Sequence, residues 1–214
     1  HLHNNHFIQQ FTYFCNMSDS LIIIPTYNEK ENIEKIILKV FSLEKSFDIL
    51  IVDDGSPDGT ADIVKTLQKE YPKQLHIEER TGKLGLGTAY IHGFKWTLER
   101  NYQFIFEMDA DFSHNPDDLI RLYNAVNEGG DVSIGSRYVK GVNIVNWPMS
   151  RLLMSFFASK YVKLITGMPI HDSTAGFKCY KRNVLETIRL EKIQFVGYAF
   201  QIEMKFKAWK YGFN

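Results

Sequence analysis

The sequence predicts an α/β fold: a mostly parallel central sheet, doubly wound, with helices on both faces. Three observations carry that reading. Wholly apolar, β-branched runs such as Leu21-Ile22-Ile23-Ile24 and Ile49-Leu50-Ile51-Val52 suit strands buried on both faces of a parallel sheet. Between such runs lie stretches with helical spacing, the first placing Ile33, Ile36, Ile37, Val40 and Phe41 on one side. The alternation of the two implies right-handed crossovers and a sheet covered above and below.

The elements follow in order. Pro25 ends the first run, and Asn28 stands where it can cap the next helix. The second run meets Asp53-Asp54-Gly55-Ser56-Pro57-Asp58-Gly59, which is turn chemistry, and a helix over 60–71 is expected after it. Leu75–Glu79 reads as a third strand. A glycine-rich segment, Lys83-Leu84-Gly85-Leu86-Gly87, opens a helix over 88–100. Phe104-Ile105-Phe106 makes a fourth strand, Pro116 begins another helix near its first turn, and Val132-Ser133-Ile134 makes a fifth strand. After Arg137 the rhythm breaks. Met149–Thr166 reads as a long amphipathic helix, 172–174 as irregular, and 197–211 as a last helix with no closing strand.

Composition narrows the class. The 214 residues suffice for one domain with a substantial core, and 44% hydrophobic with 23% charged residues is ordinary for a globular protein. Lysine and arginine balance aspartate and glutamate at a net charge of zero, which gives no support to nucleic-acid binding. Cys15 and Cys179 are far apart, without metal-ligand spacing, and a reduced cytosolic chain is the simple reading. No run approaches the roughly 18 apolar residues of a membrane span. Residues 1–16 read as a leader, tag or disordered segment, and 17–214 as the folded domain, expected to be cut short at its C-terminus.

The polar clusters collect at strand ends, where doubly wound sheets bind ligands. Pro25-Thr26-Tyr27-Asn28-Glu29, Asp53-Asp54 and Asp109-Ala110-Asp111 follow the first, second and fourth strands. Two carboxylates at i and i+2 can turn toward one hard divalent cation, Mg²⁺ or Mn²⁺, which bridges carboxylates to substrate phosphates. The alternative for Asp109 and Asp111 is a capping turn before Pro116; a glycosidase pair is disfavoured because residues so close cannot flank a sugar from both sides. Asp54 or Asp53 can accept hydrogen bonds from a nucleotide base beside Tyr27, and the glycine loop can seat a phosphate at a helix N-terminus. The Walker GxxxxGK[ST] stretch is absent, as is the third glycine of the dinucleotide fingerprint. His114 and His171 lack a partner at zinc-ligand spacing. Gln201 and Glu203 either line the acceptor side or sit on the surface of the last helix.

Taken in order, Pro25 to Glu29, residues 53–60, LGLGTAYIHG at 84–93, DADFSH at 109–114 and Gly135-Ser136-Arg137-Tyr138 resemble the dolichyl-phosphate (polyprenyl-phosphate) mannose synthases of glycosyltransferase family two. The resemblance implies a Rossmann-like GT-A fold and inverting transfer of mannose from GDP-mannose to a polyprenyl or dolichyl phosphate. It implies a Mg²⁺ or Mn²⁺ ion on Asp109 and Asp111, with Ser113 where some relatives carry a Gln ligand. It implies nucleotide contacts at Pro25, Tyr27, Glu29, Val52, Asp54 and Ala110, and a phosphate-binding role for Arg137. Arg151 and Ser155 fall on acceptor-phosphate positions, on a helix that meets lipid or packs on the sheet, and the resemblance places the work at the cytoplasmic face of a membrane. The alternatives are a family-two transferase with another donor, such as UDP-glucose, or a nucleotide-sugar binding module.

Overall fold

The computed structural model describes residues 18–138 and 149–214, so the expected leader at 1–16 lies outside the described residues. The described elements, in chain order, are β1 (Ser20–Thr26), α1 (Ile33–Phe41), β2 (Asp48–Asp53), α2 (Thr60–Glu70), β3 (Leu75–Glu79), α3 (Leu86–Leu98), β4 (Phe104–Glu107), α4 (Asp118–Asn127), β5 (Val132–Ile134), α5 (Met149–Thr166), β6 (Lys178–Lys181), α6 (Arg182–Thr187), a 3₁₀ turn (Leu190–Lys192) and α7 (Tyr198–Lys210). They form a six-stranded sheet of order β3-β2-β1-β4-β6-β5. β1, β2, β3 and β4 run parallel, whereas β6 pairs antiparallel with both β4 and β5.

The period of two along each strand divides the core. Ile22, Ile24, Ile49 and Ile51 face α1, α2 and α4, and Leu21, Ile23, Leu50 and Val52 face α3, α6 and α7. Every one of these eight side chains is fully buried, each stabilising the fold by about 1.5–3 kcal/mol. Helix α3 comes unusually close to β1 because it carries Gly93, where an added Cβ would stand 2.7 Å from Ile23 Cγ2.

The structure differs from the sequence expectations at several points. Asn28 does not cap a helix: its backbone is left-handed (φ 62°), and α1 begins only at Ile33, after Glu29 accepts the amides of Asn32 and Ile33. α3 starts two residues earlier than expected and α4 two residues after Pro116. A strand, β6, was not foreseen. Its sequence, Lys-Cys-Tyr-Lys, hides a buried strand behind two lysines, of which Lys178 is fully buried. By inserting between β4 and β5 it displaces the neighbour pairing that chain order suggests.

Strand order reverses between β1 and β4, which opens a crevice beyond their carboxyl ends. There Glu107 is in register with Ile23, so the chain after β4 runs alongside Pro25 and the residues that follow it.

Candidate active site

One wall of the crevice is a pair of loops zipped together by side chains. Asp53 accepts hydrogen bonds from the Thr26 hydroxyl (2.7 Å), the Ser56 amide (2.8 Å) and the Ser56 hydroxyl (2.6 Å). Asp58 accepts from the Lys30 amide and from the amide and hydroxyl of Thr60. The hydroxyls of Ser56 and Thr60 in turn accept the amides of Asn28 and Glu29, both at 3.0 Å. Asp53 and Asp58 are therefore turn builders, and what they build is the course of Tyr27, Asn28 and Glu29. Tyr27 stands exposed with Lys83 Nζ 4.6 Å from its ring centre. Pro25 and Val52 lie opposite one another in the β1–β2 register.

Asp54 is nearly buried, with one oxygen 2.7 Å from Arg80 Nε and the other accepting the Leu84 amide at 3.3 Å. Arg80 was not anticipated from the sequence; an arginine just past a strand gives no signal without its partner. The glycine loop departs from the expected phosphate seat. Its Leu84 amide is taken by Asp54 and its Gly87 amide by the Val196 carbonyl (2.8 Å), and Gly87 presses on Phe200, where an added Cβ would stand 2.8 Å away. Gly87 serves close packing against α7.

The acidic pair follows β4. Asp109, half-buried, accepts the Tyr90 hydroxyl at 3.2 Å and donates its amide to His114 Nδ1 at 3.1 Å. The His114 ring stacks on Phe177 (4.9 Å between centres), with Nε2 3.8 Å from Asp109 Oδ2. Because Nδ1 accepts, the neutral ring carries its proton on Nε2. Burial, then the charge of Asp109, push the Tyr90 phenol well up, so it stays a neutral donor. Ala110 is buried between the two carboxylates, Phe112 takes a left-handed turn (φ 59°), and the Ser113 amide donates to Asp111 Oδ1 at 2.9 Å. Ser113 thus orients Asp111 through its backbone, and it lines the cleft.

Glu29 registers the charge of this pair. Its carboxyl is raised, first by burial and then by the negative charges of Asp111 and Asp109. That concentration of negative potential, with two hard oxygen donors at its centre, fits a divalent cation that takes its remaining ligands from water and substrate phosphates. Among the described residues no group of three His, Cys, Asp or Glu is placed to hold a metal ion by itself.

The opposite wall carries a cation. Arg137, just past β5, donates from its amide (2.9 Å), Nε (2.9 Å) and Nη2 to the carboxylate of Asp172, and from Nη2 to Thr174 Oγ1. Asp172 is buried, which opposes its charge, yet the arginine more than offsets this and holds the carboxyl below its usual range. Burial likewise opposes the charge of Arg137, and Asp172 outweighs it, so the guanidinium holds its proton more firmly. Thr174 shares a 2.9 Å hydrogen bond with Ser155 of α5, and Ser155 accepts the Tyr138 hydroxyl at 3.0 Å. A cleft of about 840 Å³ joins Asp109 and Ser113 on one side to Arg137, Ser155 and Thr174 on the other. Pro25, Tyr27, Glu29, Val52 and Asp54, around the loops of the first wall, lie outside the lining of that cleft, as do Ala110 and Asp111. The Arg151 side chain lies outside the described residues.

Gln201 is buried and lines the same cleft; its Nε2 donates to Glu107 (2.7 Å) and its Oε1 accepts from Lys178. Glu203 has a structural task instead, accepting the Gln194 and Phe195 amides and pairing with Lys207. His171 is exposed.

Helix α5 reverses the usual orientation. Among its described side chains, those turned inward are Ser159, which is buried, and the half-buried Ser155, Val162 and Thr166. Leu153, Met154, Phe156, Phe157, Tyr161, Leu164 and Ile165 are exposed, Phe157 at 65% and Leu164 at 81%. Among the described residues no helix is long and apolar enough to cross a membrane.

Residues 21–189 match the family described as glycosyl transferase family 2. The chain is 47% identical over 195 residues to the polyprenol monophosphomannose synthase of Mycolicibacterium smegmatis, covering 91% of this chain and 74% of that one. It is 45% identical over 192 residues to the undecaprenyl-phosphate mannosyltransferase of Micrococcus luteus, covering 90% and 78%. Among solved structures, a mannosyltransferase from Pyrobaculum calidifontis in complex with GDP-Man and Mn²⁺ superposes with a TM-score of 0.53 at 19% identity, over 81% of this chain and 47% of that one. The glucosyl-3-phosphoglycerate synthase of Mycobacterium tuberculosis superposes with a TM-score of 0.57 at 16% identity, over 92% and 67%.

Proposed function

The chain belongs to glycosyl transferase family 2, and from that premise we propose that it moves mannose from GDP-mannose to a polyprenyl phosphate, with inversion, at the cytoplasmic face of a membrane. The observation that carries this reading is the cleft in which Asp109 and Ser113 share one cavity with the fixed guanidinium of Arg137. Two relatives sharing 45–47% identity over most of the chain are named for mannosyl transfer to polyprenol or its phosphate. The Pyrobaculum neighbour, bound to GDP-Man and Mn²⁺, supports the same donor and a divalent ion. The catalytic domain is read as 17–214.

Each wall has its part. Tyr27, Glu29 and Asp54, with Pro25, Val52 and Ala110, hold the nucleotide, and Arg80 keeps the Asp54 carboxylate in place. Asp109 and Asp111, with Ser113 beside them, hold Mg²⁺ or Mn²⁺, which when bound neutralises charge on the departing diphosphate. Arg137 and Ser155, with Arg151, receive the acceptor phosphate. That phosphate oxygen is already anionic at neutral pH, so no strong general base is needed. The protein's contribution is to orient two phosphorylated substrates and to hold fixed charge where charge develops. The exposed apolar face of α5, next to Ser155, suits contact with the lipid that carries the acceptor.

The test is a turnover assay with a short-chain polyprenyl phosphate, comparing GDP-mannose with UDP-glucose, with and without Mn²⁺. Metal-dependent mannosyl transfer is expected. Transfer from UDP-glucose alone would refute the donor, and full activity in excess chelator would refute the ion.

A further inference from the structure

Beneath the cleft lies a buried lysine that the reaction as described does not use. Lys205 of α7 is 1% exposed, and its Nζ donates to the carbonyls of Ser173 (2.9 Å) and Ala175 (2.6 Å). These two carbonyls belong to the segment that carries Asp172 and Thr174, the two partners of Arg137. Irregular backbone at such depth leaves carbonyls that no helix or strand satisfies, and an unsatisfied one costs about 1–3 kcal/mol. An ammonium reaching up from α7 answers two of them at once and fixes the height of the loop between.

We propose that Lys205 is a positioning residue for the acceptor phosphate: it locks the 172–175 segment, which in turn aims Arg137 and Ser155 into the cleft. This deepens the proposed function and rests on its assignment of Arg137 to the acceptor. The path is continuous. Lys205 holds the Ser173 and Ala175 carbonyls, Asp172 and Thr174 hold Arg137, and Thr174 also holds Ser155 on α5. Asp109 lies outside this path, tied instead to Tyr90 and His114. The lock therefore bears on the acceptor and leaves the donor side alone. Burial and neighbouring Lys178 pull the Lys205 ammonium well below its usual range, with Glu107 and Asp172 opposing them, but charged or neutral it has the two hydrogens that the carbonyls need.

The test substitutes Lys205→Met, which keeps the length of the side chain and removes its donors. Three quantities are read: the KM for a short polyprenyl phosphate, the calorimetric affinity for GDP-mannose with Mn²⁺, and the solvent exchange of the Arg137 Nε–H by ¹⁵N NMR. The expected result is an acceptor KM raised about tenfold and faster Nε–H exchange, with donor affinity within about twofold of the parent. An unchanged acceptor KM and unchanged exchange would overturn the proposal, as would an equal loss of donor and acceptor binding. Should Lys205→Met not fold, Thr174→Val breaks the same path at its far end and must give the same selective rise. The Arg137 resonance needs no substrate. A parent protein that ignores polyprenyl phosphate would thus sink the proposed function while the lock is still judged on exchange alone.

Discussion

Replacing Asp172 with asparagine tests the charge logic of the cleft most directly. The aspartate is 1% exposed and takes three hydrogen bonds from Arg137, at the amide, Nε and Nη2. Asn keeps the shape but removes the charge and turns one acceptor into a donor that faces another donor. Breaking a fully buried ion pair costs about 3–5 kcal/mol. The Arg137 side chain retains 15% exposure, so water recovers part of this. A loss of about 2–3 kcal/mol is expected, which for a domain of this size lowers Tm by roughly 4–12 °C. The pH dependence gives a second reading. Asp172 has a depressed carboxyl in the folded state, so its contribution is fully present above the unfolded value of about 3.9 and is lost as pH falls through the folded value. The difference in Tm between parent and Asp172→Asn, followed by circular dichroism, is expected to be constant near neutrality and to shrink below about pH 4. A difference under about 2 °C at pH 7, or one that grows on acidification, would refute the reasoning.

Other outcomes follow from the same geometry. Asp109→Ala should abolish mannosyl transfer in a protein that still folds: its amide bond to His114 survives, and the loss of the acceptor for the buried Tyr90 hydroxyl should cost about 1–3 kcal/mol. Gly176→Ala should fold, since its Cβ would meet His114, Gln201 and Asp109 at 3.5–3.9 Å, yet turnover should drop about tenfold or more as the methyl enters the floor of the cleft. Gly93→Ala should lower stability by about 1–3 kcal/mol in a denaturant melt, because α3 must retreat from Ile23. The double change Phe157→Asp with Leu164→Asp should abolish cosedimentation with vesicles of anionic lipid and leave Tm unaltered, both positions being exposed.

What the sequence made legible was whatever local pattern encodes. The apolar runs at 21–24 and 49–52 became β1 and β2, and Met149–Thr166 became a helix with the bounds expected. Asp109, Ser113, Arg137 and Ser155 were named from motifs, and one cleft brings them together. What escaped was encoded in pairs far apart. β6 went unread because Lys178 is a core residue only in the company of Glu107 and Gln201, which lie on β4 and α7. Arg80 and Asp172 carried no signal until folding set each against its partner. Asp53 and Asp54 show the limit from the other side: adjacent and chemically identical, one is consumed by a turn and the other held by an arginine.

The two walls solve different physical problems. On the proposed donor side, neutral hydroxyls and amides of Thr26, Ser56 and Thr60 satisfy Asp53 and Asp58, so that loop is tied down without countercharge. The carboxylate of Glu29 is left with its charge opposed by burial and by Asp111 and Asp109, a tension that the divalent ion of the proposed function would relieve. On the proposed acceptor side the order is inverted. Arg137 is compensated in advance by Asp172, so the pair is close to neutral before any ligand arrives. A phosphate that meets a precompensated guanidinium gains geometry more than net charge, because the fork is already fixed and little side-chain entropy remains to be lost. The donor wall should therefore show the steeper dependence on the ion, and the acceptor wall the steeper dependence on the integrity of the 172–175 segment.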